Sequence, residues 1–408
     1  MCGIFAYLGG NLSWKELRDH AYKIKYRGPE NTHIIELNNN SIFTFHRLAI
    51  MGVSETGDQP MQHPQDPSLT LICNGEIYNY LELAEKYGFT LETGSDCEII
   101  LFLYKKFGIE QTVRELDGVF MFVLYDDTSK TFYVGRDPMG VRPGFIGKKG
   151  VEIFIASEAK PMVGICDSIQ PFPPGCWWSS RERNFFHRYF HYSNNETAIG
   201  TEDEICDRIC ELLSHAVEKR MMAEREIGCL LSGGLDSSLI TALVAQHNNG
   251  NMLKTFSIGI PGSIDLEYAQ SAADHLGTIH HQIEMSEEDF LEAIKTVIYN
   301  IESYDTTTVR ASVGNYLVSR FIRENSDCKV VFNGDGSDEV CCGYVYLKNA
   351  TSPDALQKES ERLVKELYLF DVLRSDRSIS SNGLEARTPF LDKTFVRYYL
   401  SIPAELKM

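Results

Sequence analysis

From residue 1 to about residue 190 the apolar positions fall in short runs broken by turn residues. SIFTFHRLAIM (41–51), LTLICNGEI (69–77), VFMFVLYDD (119–127), TFYVGRD (131–137) and VEIFIAS (151–157) are rich in β-branched and aromatic residues. Each is bounded by Gly, Asn, Asp or Pro, which predicts strands. Helical spacing of apolar positions appears in SWKELRDHAYKIK (13–25) and SDCEIILFLYKKFG (95–108). Many consecutive strands with few helices predict an α+β domain over 1–190, an αββα sandwich of antiparallel sheets.

The pattern changes at FHYSNNETAIGTED (190–203), a polar stretch that reads as a linker. A long amphipathic helix is predicted over 202–224, and apolar runs then alternate with helical segments. IGCLL (227–231), LKTFSIGI (253–260), HHQIEM (280–285) and KVVFNG (329–334) read as strands, with helices over 237–247 and 266–277 between them. This βαβα rhythm predicts an α/β domain over 191–408, built on a doubly wound parallel sheet.

Length agrees with two domains, since 408 residues exceed one ordinary core. A net charge of -18 excludes a general nucleic-acid binder and fits an anionic membrane surface equally poorly. No apolar run approaches membrane-span length, and no signal-peptide core follows Met1. The eleven cysteines are scattered, without paired C-x-x-C knuckles. Reduced thiols in a cytoplasmic compartment are the simplest reading, and zinc is disfavoured.

Two stretches carry chemistry. In MCGIFAYLGG, trimming of Met1 leaves Cys2 with a nucleophilic thiol and a free α-amine on one residue. That amine, with an unperturbed pKa of about 7.7–8.0, can accept the thiol proton near neutral pH. In LLSGGLDSS (230–238) a glycine-rich turn joins a buried strand to a helix. Unpaired amides and the helix dipole make such a junction an anion site. Gly233 and Gly234 admit a phosphate close to the backbone, and Ser232, Ser237 and Ser238 add hydroxyl donors. Asp236 repels phosphate and fits better as a Mg²⁺ ligand. No G-x-x-x-x-G-K-[ST] is present, so this is no loop for γ-phosphoryl transfer. It resembles the pyrophosphate loop of enzymes that cleave ATP between its α and β phosphates. A second acidic loop, FNGDGSDEV, follows strand KVVF and offers Asp338 as another Mg²⁺ ligand.

MCGIF, RGPE, RLAI, NGEIYNY, TGSDCEII, DGVFMFVLYD and GRDPMGVRP together resemble a glutamine-hydrolysing N-terminal-nucleophile domain. LLSGGLDSS, FSIGIPGSIDLEYA, IESYDTTTVRAS, GDGSDEV and EARTPFLD resemble the synthetase domain of the asparagine synthetase family. The motifs run in one order across nearly the whole chain. The resemblance implies that glutamine, ATP, aspartate and water give asparagine, glutamate, AMP and pyrophosphate. It implies Cys2 as nucleophile, with the Asn74 side chain and the Gly75 amide as oxyanion hole. Arg47 would clamp the glutamine α-carboxylate, Glu76 and Asp96 its ammonium, and Leu48, Ala49, Ile50 and Met51 would form a pocket wall. Leu231, Ile258, Asn333 and Gly334 would meet the nucleotide. Thr307, Thr308, Arg310 and Asp335 would lie near aspartate and pyrophosphate, and a homodimer is expected. Arg387 is left either as an ion-pair partner or as a ligand contact.

Three departures stand out. Asn333 and Asp335 replace the family's usual Ser and Glu in the acidic loop. The chain ends at IPAELKM, where the family continues through further helices and a Lys-bearing loop. The synthetase domain is therefore expected to be C-terminally incomplete. The alternatives are amidation of another carboxylate, or a glutaminase or nucleotide-binding protein with an impaired synthetase site.

Overall fold

The computed structural model describes residues 1–192, 197–248, 250 and 252–408. Part of the stretch read as a linker, residues 193–196, lies outside them. The chain divides into two compact units, Met1–Phe190 and His191–Met408.

The first unit holds two six-stranded antiparallel sheets. One runs Ser168–Pro171, Phe145–Lys149, Glu152–Ala156, Gly3–Leu8, Ile42–Arg47, Asn31–Glu36. The other runs Phe186–Arg188, Cys176–Ser179, Thr131–Arg136, Gly118–Asp126, Asp66–Ile77, Met61–His63. Ile4, Ala6, Phe43 and Phe45 of the first sheet pack against Ile72, Met121, Val123 and Trp178 of the second, forming the core between them. On the opposite face of the first sheet, Phe5, Tyr7 and Phe154 pack with Leu17 and Ala21 of helix Trp14–Ala21. Helix Ile99–Phe107 lies against the second sheet, with Phe102 on His63 and Tyr104 on Tyr133 at ring separations of 4.3 and 5.2 Å. The αββα sandwich is present. It also explains the run GIFAYL, apolar at every position: Gly3–Leu8 is covered on both faces and needs no polar alternation.

In the second unit five strands form a parallel sheet. Its order is Ile279–Glu284, Lys254–Gly259, Ile227–Leu230, Val330–Phe332, Glu385–Arg387. Counted in chain order this is 3-2-1-4-5, so the winding reverses between Ile227–Leu230 and Val330–Phe332. Ligands bind outside the carboxyl ends of strands at such a switch point. Helices Glu287–Ile301 and Thr306–Asn325 pack together through Ala293, Val297, Val309 and Val313, with Ile258 of the sheet beside them.

Several boundaries differ from the sequence pattern. The strand read over 41–51 ends at Arg47. The helix over 202–224 ends at Lys219, where the Arg220 side chain turns back to the Ala216 carbonyl at 2.9 Å. The helix read from 237 begins at Leu235, inside the glycine-rich turn. Arg387 is settled as structural: it is buried, with Nε on Glu385 at 3.0 Å and Nη1 on the Met222 carbonyl at 2.7 Å.

Arg220 also donates to the buried Asp392 at 2.9 Å, and Lys219 pairs with the same oxygen. The other Asp392 oxygen caps helix Lys393–Ser401 by accepting from the Thr394 amide at 2.9 Å. Burial alone would raise the Asp392 pKa, but Arg220 and Lys219 overcome it and hold the carboxyl well below its usual range. Asp392→Asn is expected to cost about 3–5 kcal/mol at neutral pH, because it removes the buried charge that Arg220 and Lys219 share. The pKa is depressed in the fold, so this stability is full above the unfolded value of about 3.9 and fades as pH falls below it. Urea unfolding of both proteins at pH 7 and pH 3 checks this: the gap must narrow in acid.

Candidate active site

The antiparallel register of Gly3 opposite His46 brings the start of the chain beside the end of strand Ile42–Arg47. The half-buried Cys2 Sγ lies 3.5 Å from both the amide nitrogen and the carbonyl oxygen of Leu48. Leu48, Ala49 and Ile50 are buried and Met51 half-buried. The Ala49 amide donates to Glu30 of the RGPE motif at 2.8 Å.

Strand Asp66–Ile77 supplies Asn74, Gly75 and Glu76. Both side-chain polar atoms of Asn74 are buried and have no hydrogen-bond partner among the described residues. An unpaired buried amide costs roughly 1–3 kcal/mol, so its retention points to a ligand that satisfies it. Gly75 has no room for a side chain: a Cβ there would lie 2.2 Å from the Val119 carbonyl. Asp96 is buried and accepts from the Ile77 amide at 2.5 Å, which holds it at the end of the same strand. Arg47 is nearly buried, with Nη1 on the Ser54 carbonyl at 2.9 Å and further bonds to Asp58 and the Gly52 carbonyl. Its fork is thus locked in one orientation.

In the second unit both loops predicted from sequence open at the switch point. They line one cavity of about 250 Å³, Ser232, Gly234, Asp236 and Ser237 from the first and Asn333, Gly334, Asp335 and Asp338 from the second. Ser232 and Ser237 hydroxyls bond each other at 3.0 Å, and Gly233 has φ +80°. The loops abut at Gly334, where a Cβ would stand 2.9 Å from Asp236 Cβ. Leu231, Gly233, Ser238 and Ile258 do not line this cavity. A neighbouring cavity of about 280 Å³ holds Thr307 and Thr308, and Arg310 is exposed and lines neither cavity.

Among the lining residues not predicted as site residues are Asn315, Glu339, Tyr344, Asp371 and Arg374. Asp371 and Arg374 sit three apart on helix Asp371–Ser380 and line both cavities. Arg374 Nη2 bridges Asp335 and Asp371, each at 2.9 Å. Asn333 Nδ2 holds the other Asp335 oxygen at 2.7 Å and reaches Ser375 at 2.9 Å. The two departures in the acidic loop therefore bond each other. The first cavity carries Asp236, Asp335, Asp338, Glu339 and Asp371 against one cation, Arg374. Burial raises the Asp338 pKa, and Asp236 and Asp371 raise it further. Burial and then Asp371 push Glu339 up likewise, while its carboxyl accepts from the Tyr344 hydroxyl.

A family model described as asparagine synthase matches residues 208–354 and 348–408, and one described as a glutamine amidotransferase domain matches 1–184. A glutamine-hydrolysing asparagine synthetase of Gallus gallus is 42% identical over 446 aligned residues, covering 100% of this chain and 78% of that protein. The Homo sapiens protein of that name is 43% identical, with the same coverage. The chain belongs to the glutamine-hydrolysing asparagine synthetase family. Among solved structures, an allosteric regulatory enzyme of purine biosynthesis matches with a TM-score of 0.42 at 16% identity, over 69% of this chain and 80% of that one.

Within this family member the contact between the two loops of the second unit is open to a direct test. Gly334→Ala is expected to destabilise the second unit by about 1–3 kcal/mol through overpacking against Asp236. It should also reduce ATP-dependent turnover while leaving glutamine hydrolysis near wild type. Parallel assays of AMP and glutamate formation check it.

Proposed function

We propose that this chain makes asparagine, converting glutamine, ATP, aspartate and water to asparagine, glutamate, AMP and pyrophosphate. The observation that carries the reading is the buried, unsatisfied Asn74 amide in a unit whose Cys2 thiol lies against the Leu48 backbone. An oxyanion hole needs donors aimed at a charge that appears only during reaction, and such a donor is unsatisfied beforehand.

After removal of Met1, the Cys2 thiol passes its proton to its own α-amine and attacks the side-chain amide carbon of glutamine. Asn74 Nδ2 and the Gly75 amide stabilise the resulting oxyanion. Collapse expels ammonia, the nitrogen taking the proton back, and leaves a thioester that water hydrolyses to glutamate. Arg47, held by its neighbours, grips the α-carboxylate with a planar fork that Lys cannot reproduce, and Glu76 and Asp96 receive the ammonium. Leu48, Ala49, Ile50 and Met51 wall the pocket.

At the second site an oxygen of the aspartate β-carboxylate attacks the α-phosphorus of ATP and pyrophosphate leaves. Ammonia then attacks the activated carbonyl, loses a proton and displaces AMP. Ser232, Gly234 and Ser237, which line the cavity, would cradle phosphates, with Asn333 and Gly334 toward the nucleoside. Thr307, Thr308, Arg310 and Asp335 serve aspartate and the leaving group. Five carboxyl groups facing one guanidinium leave this cavity short of positive charge, which suits a divalent cation. Asp236 and Asp338 would hold Mg²⁺, which when bound neutralises charge on the phosphates. Eleven free cysteines suit a reducing cytoplasm. No helix among the described residues is long and apolar enough to cross a membrane. A homodimer is the assembly the family resemblance favours.

Cys2→Ala is expected to abolish glutamine hydrolysis and spare asparagine formation from added ammonium. Glutamate release that survives in the Ala protein would remove Cys2 from its role. Asp236→Asn should suppress AMP and pyrophosphate formation on the order of 10²-fold with glutaminase intact. Chromatography of the nucleotide products decides it, and ADP with orthophosphate would refute the reading of the loop.

A further inference from the structure

Behind Cys2 lies a buried ionic network that the reaction described so far does not use. Arg27 Nε donates to the Cys2 carbonyl at 3.0 Å, and Arg27 Nη1 pairs with Glu158 Oε1 at 2.7 Å. Both side chains of that pair are fully buried. The other Glu158 oxygen accepts from Lys160 and from the Tyr26 hydroxyl. Glu158 itself is set by the sheet: Ser157 exchanges bonds with Ile4, Oγ accepting from the Ile4 amide and its own amide donating to the Ile4 carbonyl, each at 3.0 Å. The contacts close a ring from Cys2 along its strand to Ser157 and Glu158, across to Arg27 and back to the Cys2 carbonyl.

We propose that Glu158 is a positioning residue for the nucleophile, acting through Arg27. The proposal rests on the reading of Cys2 as the attacking group. A residue that begins a chain is tethered covalently on one side, and chain ends fray unless tied down. The strand ladder holds Gly3 and beyond, so the orientation of Cys2 depends on what grips its carbonyl. One hydrogen bond does not choose a rotamer for a side chain as long as Arg27, whereas a buried carboxylate on its far end does. Lys160 and Tyr26 in turn keep that carboxylate from rotating. A thiol displaced by about 1 Å from its attack geometry loses on the order of 10²-fold in rate. Glutamine binding, assigned to other side chains, does not require the network.

Glu158→Gln is therefore expected to lower kcat for glutamine hydrolysis by about 10- to 100-fold, with KM for glutamine changed less than about threefold and ammonium-driven synthesis unchanged. Calorimetry of glutamine binding to Cys2→Ala, with and without Glu158→Gln, should give equal affinities and so report an intact pocket. Wild-type kcat in the Gln protein, or a KM that rises while kcat holds, would overturn the proposal. If Glu158→Gln does not fold, Tyr26→Phe decides: it removes one hydrogen bond from Glu158 and must show the same kcat-selective loss on a smaller scale, and an unchanged kcat would overturn the proposal. Survival of hydrolysis in Cys2→Ala would instead strike the nucleophile assignment itself, so the two failures are distinguishable.

Discussion

The first unit is built around the strand that follows Cys2, which is gripped along both edges and both faces. Strand Gly3–Leu8 lies between two partners, Ile42–Arg47 and Glu152–Ala156, so neither edge is left open. Its two faces are covered as well, one by the opposing sheet and one by helix Trp14–Ala21. A strand held in four directions has little freedom to fray. Leu48 on one side of Cys2 and Arg27 on the other complete the hold.

The second unit gathers negative charge in one cavity. Carboxylates crowded into one cavity repel each other, and the upward shifts of Asp338 and Glu339 record that repulsion together with burial. Arg374 relieves part of it by bridging Asp335 and Asp371. Arg374 and Asn333 hold Asp335 in place. Asn333 and Asp335 are thus one hydrogen-bonded pair.

Much of this was legible in the chain. Alternation and helical spacing located nine of the seventeen strands and five of the thirteen α-helices among the described residues, those whose signal depends on residues a few positions apart. The run GIFAYL was not among the strands read from the pattern, since burial on both faces erases alternation. The glycine-rich turn and the acidic loop were legible through their chemistry, and the sheet order 3-2-1-4-5 then set them at one switch point.

What the sequence determined by itself was local: strands and helices, the two loops and the thiol at position 2. Tertiary structure alone decided which distant groups meet. Arg27 and Glu158 are 131 residues apart, and Asp335 and Arg374 are 39 apart. Neither pair stands in a spacing that predicts contact, because such pairs follow from strand order and register, which local periodicity does not encode. The same holds for Asn74: its residue type was visible, but only the packed sheets show that its amide is enclosed without a partner. Burial is a property of the assembled core, and it is burial that turns an ordinary polar side chain into a site.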